Sequence, residues 1–320
     1  MNETSHVRSA PGQKRDVDGI LLLDKPTGWT SNHALQRIKR LFRARKAGHT
    51  GSLDPLASGL LPLCLGEATK VSAFLLDADK HYLVTGRLGI KTDTGDADGK
   101  IIAQAEVPRA DRSTFQQVLE EFHGTMDQVP PMHSALKHEG RRLYELARAG
   151  VEVERAPRRI TIHALRLEDL HDESFTLDVH CSKGTYVRTL VEDIGERLGS
   201  HAHVTALRRL GVGSYTADGM VTMADLEARA EQGLERLDAC LLPMDSAAAH
   251  WPSLRVGADS AYYLQNGQAV MVPRAPTAGW VRIYGEDASF LGMGCITDDG
   301  RVAPKRLVQS RRRAALVGER

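Results

Sequence analysis

The sequence predicts an α+β protein: a mixed-sheet domain interrupted by an inserted segment, followed by a small β-rich module. Three observations point there. Strand-like and helix-like stretches follow one another from Gly19 to Gly233. Residues 124–159 break that series with Pro130-Pro131, several basic side chains and one short helical stretch. Around Pro243–Pro252 the composition changes, and short strands separated by Gly and Asp take over. A chain of 320 residues is long enough for two or three domains and buries a large core without covalent staples.

The elements follow in order. Residues 1–17 are polar and basic and are expected to form a mobile tail. Gly19-Ile20-Leu21-Leu22-Leu23 reads as a buried strand ended at Pro26. Thr30 or Ser31 can cap a helix whose Leu35, Ile38 and Phe42 share one face, with Arg37, Lys39 and Arg40 on the other. Ala47 to Gly66 is rich in Gly, Pro and Ser and predicts an irregular loop. Glu67 to Leu76 is helical, and Tyr82, Val84, Gly86, Leu88 and Ile90 alternate as a strand. Ser113 with Gln116 suggests a capping box for a helix through Phe122. Within the insertion, Leu143–Ala149 is helical. Strands are expected near 160–167 and 175–181, a helix over Thr185–Leu198 stopped by Gly199, and another over Met220–Gly233. Strands near 279–284, 289–296 and 301–308 complete the chain. The expected domains are therefore 18–250 and 251–320.

Composition excludes several classes. No stretch approaches ~18 apolar residues, and the N-terminus lacks a signal-peptide core, so no membrane span is expected and a cytoplasmic protein is. The four cysteines (Cys64, Cys181, Cys240, Cys295) lie far apart, which fits reduced thiols rather than a disulfide framework or a zinc site. The net charge is only +1, yet residues 1–50 and 301–320 carry +6 each, so the middle holds −11. An anionic partner thus remains open, along a positive track from the 37–46 face across 137–159 to the C-terminal module.

Two stretches could carry chemistry. In Gly48-His49-Thr50-Gly51-Ser52-Leu53-Asp54-Pro55-Leu56-Ala57-Ser58-Gly59-Leu60-Leu61-Pro62 a single carboxylate sits among glycines and leucines. Pro55 holds Asp54 extended, and the leucines would anchor the loop, which suits a nucleophile or a stabiliser of positive charge. An Asx turn is the plainer alternative, and spacing alone leaves both open. Lys183-Gly184-Thr185-Tyr186-Val187-Arg188-Thr189 lies at a strand-to-helix junction, where Arg188 is either a ligand contact or the start of a solvated face. Thr94-Gly95-Asp96-Ala97-Asp98-Gly99 imitates half an EF-hand, but its first position is Thr and its twelfth, Ala105, cannot chelate. Gly66-Glu67-Ala68-Thr69-Lys70 is not a P-loop, and the thirteen histidines do not pair at ligand spacing. No metal is expected.

Taken together, Leu23-Asp24-Lys25-Pro26-x-Gly28, the Asp54 segment and Gly66-x-Ala68-Thr69-Lys70 resemble the TruB-type tRNA pseudouridine synthases. The match continues in order through Lys80-x-Tyr82, Thr92-Asp93-Thr94-x-Asp96-x-Asp98-Gly99 and Pro130-Pro131-Met132-x-Ser134-Ala135-Leu136-Lys137. It ends with Cys181–Thr189 and Leu207-Arg208-Arg209. The resemblance implies isomerisation of uridine 55 in the tRNA T loop, without cofactor or metal, by a monomer needing no protein partner. It also implies a thumb-like insertion, a PUA-like C-terminal module and a possible part in tRNA folding.

Residue by residue, the resemblance implies that Asp54 is the catalytic aspartate, Tyr82 the tyrosine packed on the target base, and Arg188 the arginine paired with the aspartate. It places Tyr186 and Leu207 in the pocket, His49 in the gap left by the flipped base, Lys25 in a motif under the active-site loop, and Asp96 among the substrate-binding residues. His133 departs from the tyrosine common at its position. Asp54 would attack C1′ or C6, and either route needs the carboxylate ionised. Two other readings compete: an RNA-binding module without essential chemistry, and a guide-RNA-dependent rRNA synthase.

Overall fold

The computed structural model describes residues 13–109 and 111–309. Most of the expected tail therefore lies outside the described residues, as does the basic run Arg311–Arg313. The part of 1–17 that is described is packed, not free. Arg15 donates to the Phe42 carbonyl and pairs with Asp238, and Val17 is buried.

The leucine run forms β1 (Gly19–Lys25), and α1 (Ser31–Leu41) follows, with the Thr30 hydroxyl accepting from the His33 N–H. The region 47–66 departs from its expectation as a loop. It forms β2 (Ala47–His49) and the buried β3 (Ser58–Leu65), leaving only a short irregular stretch between them. Pro62 looked like a strand breaker. It is tolerated because the β2 ladder stops at Leu63, and beyond it Pro62 uses only its carbonyl, which accepts from the Thr50 N–H at 3.2 Å.

After a 3-10 turn come α2 (Ser72–Leu76), β4 (Lys80–Leu88), the hairpin β5 (Ile90–Thr92) and β6 (Ile101–Gln104), and α3 (Arg112–Glu121). The cap of α3 is Asp111, which accepts from the Thr114 N–H at 2.8 Å. Ser113 already sits inside the first turn, so the expected capping box does not form. Next, β7 (Gly124–Gln128) pairs with β10 (Arg158–Leu170), so the inserted segment begins after Gln128 rather than at 124. It holds the two-residue strands β8 (Lys137–His138) and β9 (Arg141–Arg142) and the short α4 (Leu143–Arg148).

The chain continues through β11 (Ser174–Cys181), α5 (Val187–Arg197), β12 (Ala202–Val212), β13 (Tyr215–Thr216), α6 (Met223–Glu231) and α7 (Leu234–Asp238). It ends with β14 (Ser253–Arg255), α8 (Ala258–Gln265), β15 (Trp280–Tyr284), β16 (Phe290–Ile296) and β17 (Val302–Leu307).

Among the described residues, nine strands form one mixed sheet with the order β1-β3-β12-β4-β11-β10-β7, while β2 pairs with β3 and β13 with β12. All neighbours are antiparallel except β3 and β12. At that parallel contact Gly59 (φ +96°) comes so near that a Cβ would lie 2.3 Å from the Arg209 carbonyl oxygen. Only glycine fits there. Helices α1, α3 and α5 cover one face, burying Ile38, Phe115 and Ile194 against Leu21, Val84 and Leu177. Ile20, Leu60, Cys64 and Tyr215 form a second cluster, which takes in Met293 from the C-terminal sheet. That sheet, β14-β15-β16-β17, has its own core of Leu254, Val281, Ile283 and Val302. Phe74 and Trp280 meet edge-on, with ring centroids 5.0 Å apart, and join the two units. The architecture is the α+β one expected. All four cysteines are free, and burial pushes the Cys64 thiol up to about 12 and Cys181 to about 11, which keeps both unreactive.

Candidate active site

The irregular residues 50–57 are held from several sides. The Leu53 N–H donates to the Ser31 hydroxyl at 2.7 Å, and that hydroxyl donates to the Leu53 carbonyl at 3.0 Å. The Gly28 N–H reaches the Pro55 carbonyl at 2.7 Å, and Thr50 donates twice to the Pro62 carbonyl. Leu53 and Ala57 are buried in the cluster that contains Tyr82 and Leu207. Asp54 is thus carried on a fixed loop, as its Pro and Leu neighbours suggested.

Arg188 enters from the first turn of α5. Its side chain is only 6% exposed, and its Nε lies 2.9 Å from Asp54 Oδ2 and 3.9 Å from Asp96 Oδ2. The two terminal nitrogens donate to the Thr94 carbonyl and, at 2.8 Å, to the His133 carbonyl. All three arms of the guanidinium are therefore used, which fixes the direction of the Asp54 pair. Burial pushes the Asp54 carboxyl up and is opposed first by Arg188, with Asp96 adding to the rise and Lys25 pulling down. Its side chain keeps 40% of its surface open, so the carboxylate stays accessible although Arg188 beside it is buried.

Tyr82 stands on β4, opposite Val179 on one side and Arg209 on the other, and packs in the same buried cluster as Leu53. It is buried, which pushes its hydroxyl up, and Arg209 acts against that rise. Leu207 lies on the neighbouring strand with the same facing. Tyr186 is the residue before α5 and is half-buried. His49 ends β2; burial, then Arg209, then Arg142 of the insertion lower its pKa, which favours the neutral ring, and its Nδ1 is buried without a partner.

Two expected substrate contacts stand differently. Lys25 is fully buried, with Nζ donating to the Pro26 and Trp29 carbonyls, and burial lowers it to about 8. It braces the turn beneath the loop and presents no surface to a substrate. Asp96 is also enclosed: its Oδ1 accepts from the Thr94 hydroxyl at 2.6 Å and from the Asp98 N–H, and its other oxygen faces Arg188. The apparent half EF-hand is this turn, and its carboxylate faces a guanidinium.

Two residues to which the sequence assigned no role hold the site together. Arg209 is 1% exposed and donates to the Leu60 carbonyl at 2.7 Å and to Gly51 at 3.3 Å, tying the Asp54 loop to β12. Its signal was a charge at an inward-facing strand position. Gln128 is also buried, at the root of the insertion, and nothing in its local sequence marked it.

Comparison with known proteins follows the same lines. The TruB family pseudouridylate synthase N-terminal domain matches residues 39–187, the tRNA pseudouridylate synthase B C-terminal domain matches 188–249, and the pseudouridine synthase II TruB C-terminal domain matches 252–308. The chain is 55% identical over 299 residues to tRNA pseudouridine synthase B of Coxiella burnetii, covering 93% of this chain and 97% of that protein. It is 55% identical over 298 residues to the protein of the same name from Nitrosococcus oceani, with the same coverage. Among solved structures it is similar to the crystal structure of a Cbf5-Nop10-Gar1 complex, with a TM-score of 0.72, 25% identity, and coverage of 92% of this chain and 86% of that one.

Fold and matches together define a pseudouridine synthase, an isomerase acting on RNA. The chain belongs to the TruB family, which makes pseudouridine 55 in tRNA.

Proposed function

We propose that Asp54 is the nucleophile of this enzyme, acting on uridine 55 in the T arm of tRNA, with Arg188 orienting the carboxylate and Tyr82 packing on the flipped base. The observation that carries this reading is the 2.9 Å Arg188–Asp54 pair on a loop held from several sides, with the carboxylate left accessible. The reaction breaks N1–C1′ and forms C5–C1′; C5 gives up a proton and N1 gains one, so no redox partner or second substrate enters. Asp54 attacks at C1′ or at C6, and on both routes Arg188 favours the ionised carboxylate that attack requires. His49, Tyr186 and Leu207 line the pocket, while Lys25 and Asp96 act from behind it. No cofactor is needed by this chemistry.

The enzyme works in the cytoplasm as a monomer and without a protein partner, a reading supported by bacterial relatives matched over 97% of their length. Among the described residues no helix is long and apolar enough to cross a membrane. The test is purified wild type and Asp54→Asn incubated with bare T-arm RNA, with pseudouridine mapped chemically. Wild type converts position 55 and the variant does not. Conversion by the variant removes Asp54 from the role, and failure of wild type on bare RNA removes the stand-alone reading.

A further inference from the structure

Arg188 needs a backbone that does not drift, and the helix it stands on starts without help from its own cap. Tyr186 precedes α5 in extended conformation, and its side chain makes no capping hydrogen bond. The first turn is held instead from another element. The Tyr186 N–H donates to Gln128 Oε1 at 2.8 Å, and Gln128 Nε2 donates to the Tyr186 carbonyl at 3.1 Å. That carbonyl also accepts the first helical bond, from the Leu190 N–H at 3.1 Å. Only one orientation of the amide satisfies a donor and an acceptor on the same residue, so the pairing fixes the side chain as well as the backbone. Gln128 is 5% exposed, and an amide enclosed that far stays only if both its ends are bonded.

Its position adds the second half of the case. Gln128 is the last residue of β7, immediately before Val129-Pro130-Pro131 opens the insertion. Five residues on, the insertion returns the favour through the His133 carbonyl, which accepts from Arg188 at 2.8 Å. The turn 186–188 is therefore gripped at both ends by the root of the insertion, and its far side holds Asp54.

We infer that Gln128 is a positioning residue: its amide sets the start of α5, and so the angle at which Arg188 meets Asp54. This rests on the proposed role of Asp54. It also makes the insertion's root part of the catalytic geometry.

The test is single-turnover pseudouridine formation on T-arm RNA, with RNA affinity measured separately. Gln128→Met keeps the volume and removes both bonds; it is expected to slow the chemical step about 10–100-fold, the order that a misplacement near 1 Å costs. RNA affinity should stay within about twofold, because no bond to RNA is lost. Gln128→Glu supplies a readout that a purely structural role would not move. Protonated, its carboxyl matches the amide, one oxygen accepting from the Tyr186 N–H and the hydroxyl donating to the Tyr186 carbonyl; ionised, it opposes that carbonyl. Its rate relative to wild type at the same pH should therefore climb as pH falls. A Gln128→Met rate equal to wild type, or a flat pH ratio for Gln128→Glu, overturns the inference. If the methionine variant does not fold, the glutamate ratio decides alone. Wild-type conversion that Asp54→Asn abolishes and Gln128→Met preserves removes this inference and leaves the function intact.

Discussion

Two segments meet at Arg188 and are built in opposite ways. The loop 50–57 is short, buried at Leu53 and Ala57, and bonded to α1, β3 and β12 through Ser31, Pro62 and Arg209. The insertion 129–157 holds a hairpin of two residue pairs and one six-residue helix. Its buried Leu143 and Leu146 belong to none of the three core clusters. The first segment is stiff, as the proposed attack of its carboxylate on a sugar or a base requires. The second is lightly tied, with few buried contacts to oppose local opening. Arg188 and Gln128 show that the soft segment is nevertheless wired into the stiff one at its root.

The largest effect on this contrast comes from the stiff side. Ser31→Ala removes both partners of Leu53 and leaves its buried N–H unsatisfied, at a cost of about 1–3 kcal/mol. The urea midpoint should drop accordingly, with little change in slope, and single-turnover conversion should fall with it. An unchanged midpoint would mean that the loop is not held through α1.

A middle-sized effect is expected from the helix that both segments grip. Glu192 lies one turn beyond Arg188, and a Cβ on Gly95 would come within 3.2 Å of its carboxylate. Burial raises it from 4.5 to about 7. A raised carboxyl stabilises the fold when protonated, so its contribution is full below pH 4.5 and fades as pH climbs to about 7. At about 1.36 kcal/mol per pH unit the full shift is about 3 kcal/mol, which solvent screening of a partly exposed group reduces to about 1. Glu192→Gln should therefore stabilise the protein by about 1 kcal/mol at pH 8 and leave it nearly unchanged at pH 5. Thermal melts at the two pH values read this directly, and an equal gain at both would contradict the assignment.

The stiff segment was the more legible of the two in the sequence. Leu53, Asp54, Pro55 and Ala57 announce an anchored carboxylate because local chemistry alone dictates it. What the sequence concealed depends on residues far apart along the chain. The basic stretch 37–46 looked free for RNA, yet Arg37 pairs with Glu227 at 2.7 Å and Arg45 with Asp16 at 3.4 Å, so that part of the expected positive track is partly neutralised. Strand β3 hid behind Pro62, which is harmless because its neighbour Thr50 needs only the Pro62 carbonyl. Arg209 and Gln128 became visible only once β12 and β7 had neighbours to bond. The helix cap is Asp111 rather than Ser113 because the backbone already turns helical at Arg112, where the Asp111 carboxylate takes the Thr114 N–H.

The smallest effect on global stability should come from the soft segment, despite a change that would be severe elsewhere. Leu146 is 6% exposed, and truncating a leucine so enclosed in a domain core costs about 2–5 kcal/mol. Here the leucine packs within a short helix outside every core cluster, so its side chain stabilises the insertion against local opening rather than the fold against unfolding. Leu146→Ala should therefore move the global melting midpoint by less than about 0.5 kcal/mol equivalent, while amide exchange across 137–148 accelerates about tenfold or more. The pair Arg188–His133 sits nearer the root than Leu146, so the chemical step should hardly change while RNA affinity weakens. A global midpoint that falls by the full core amount would show that the insertion folds as one unit with the sheet, and the contrast between the two segments would disappear.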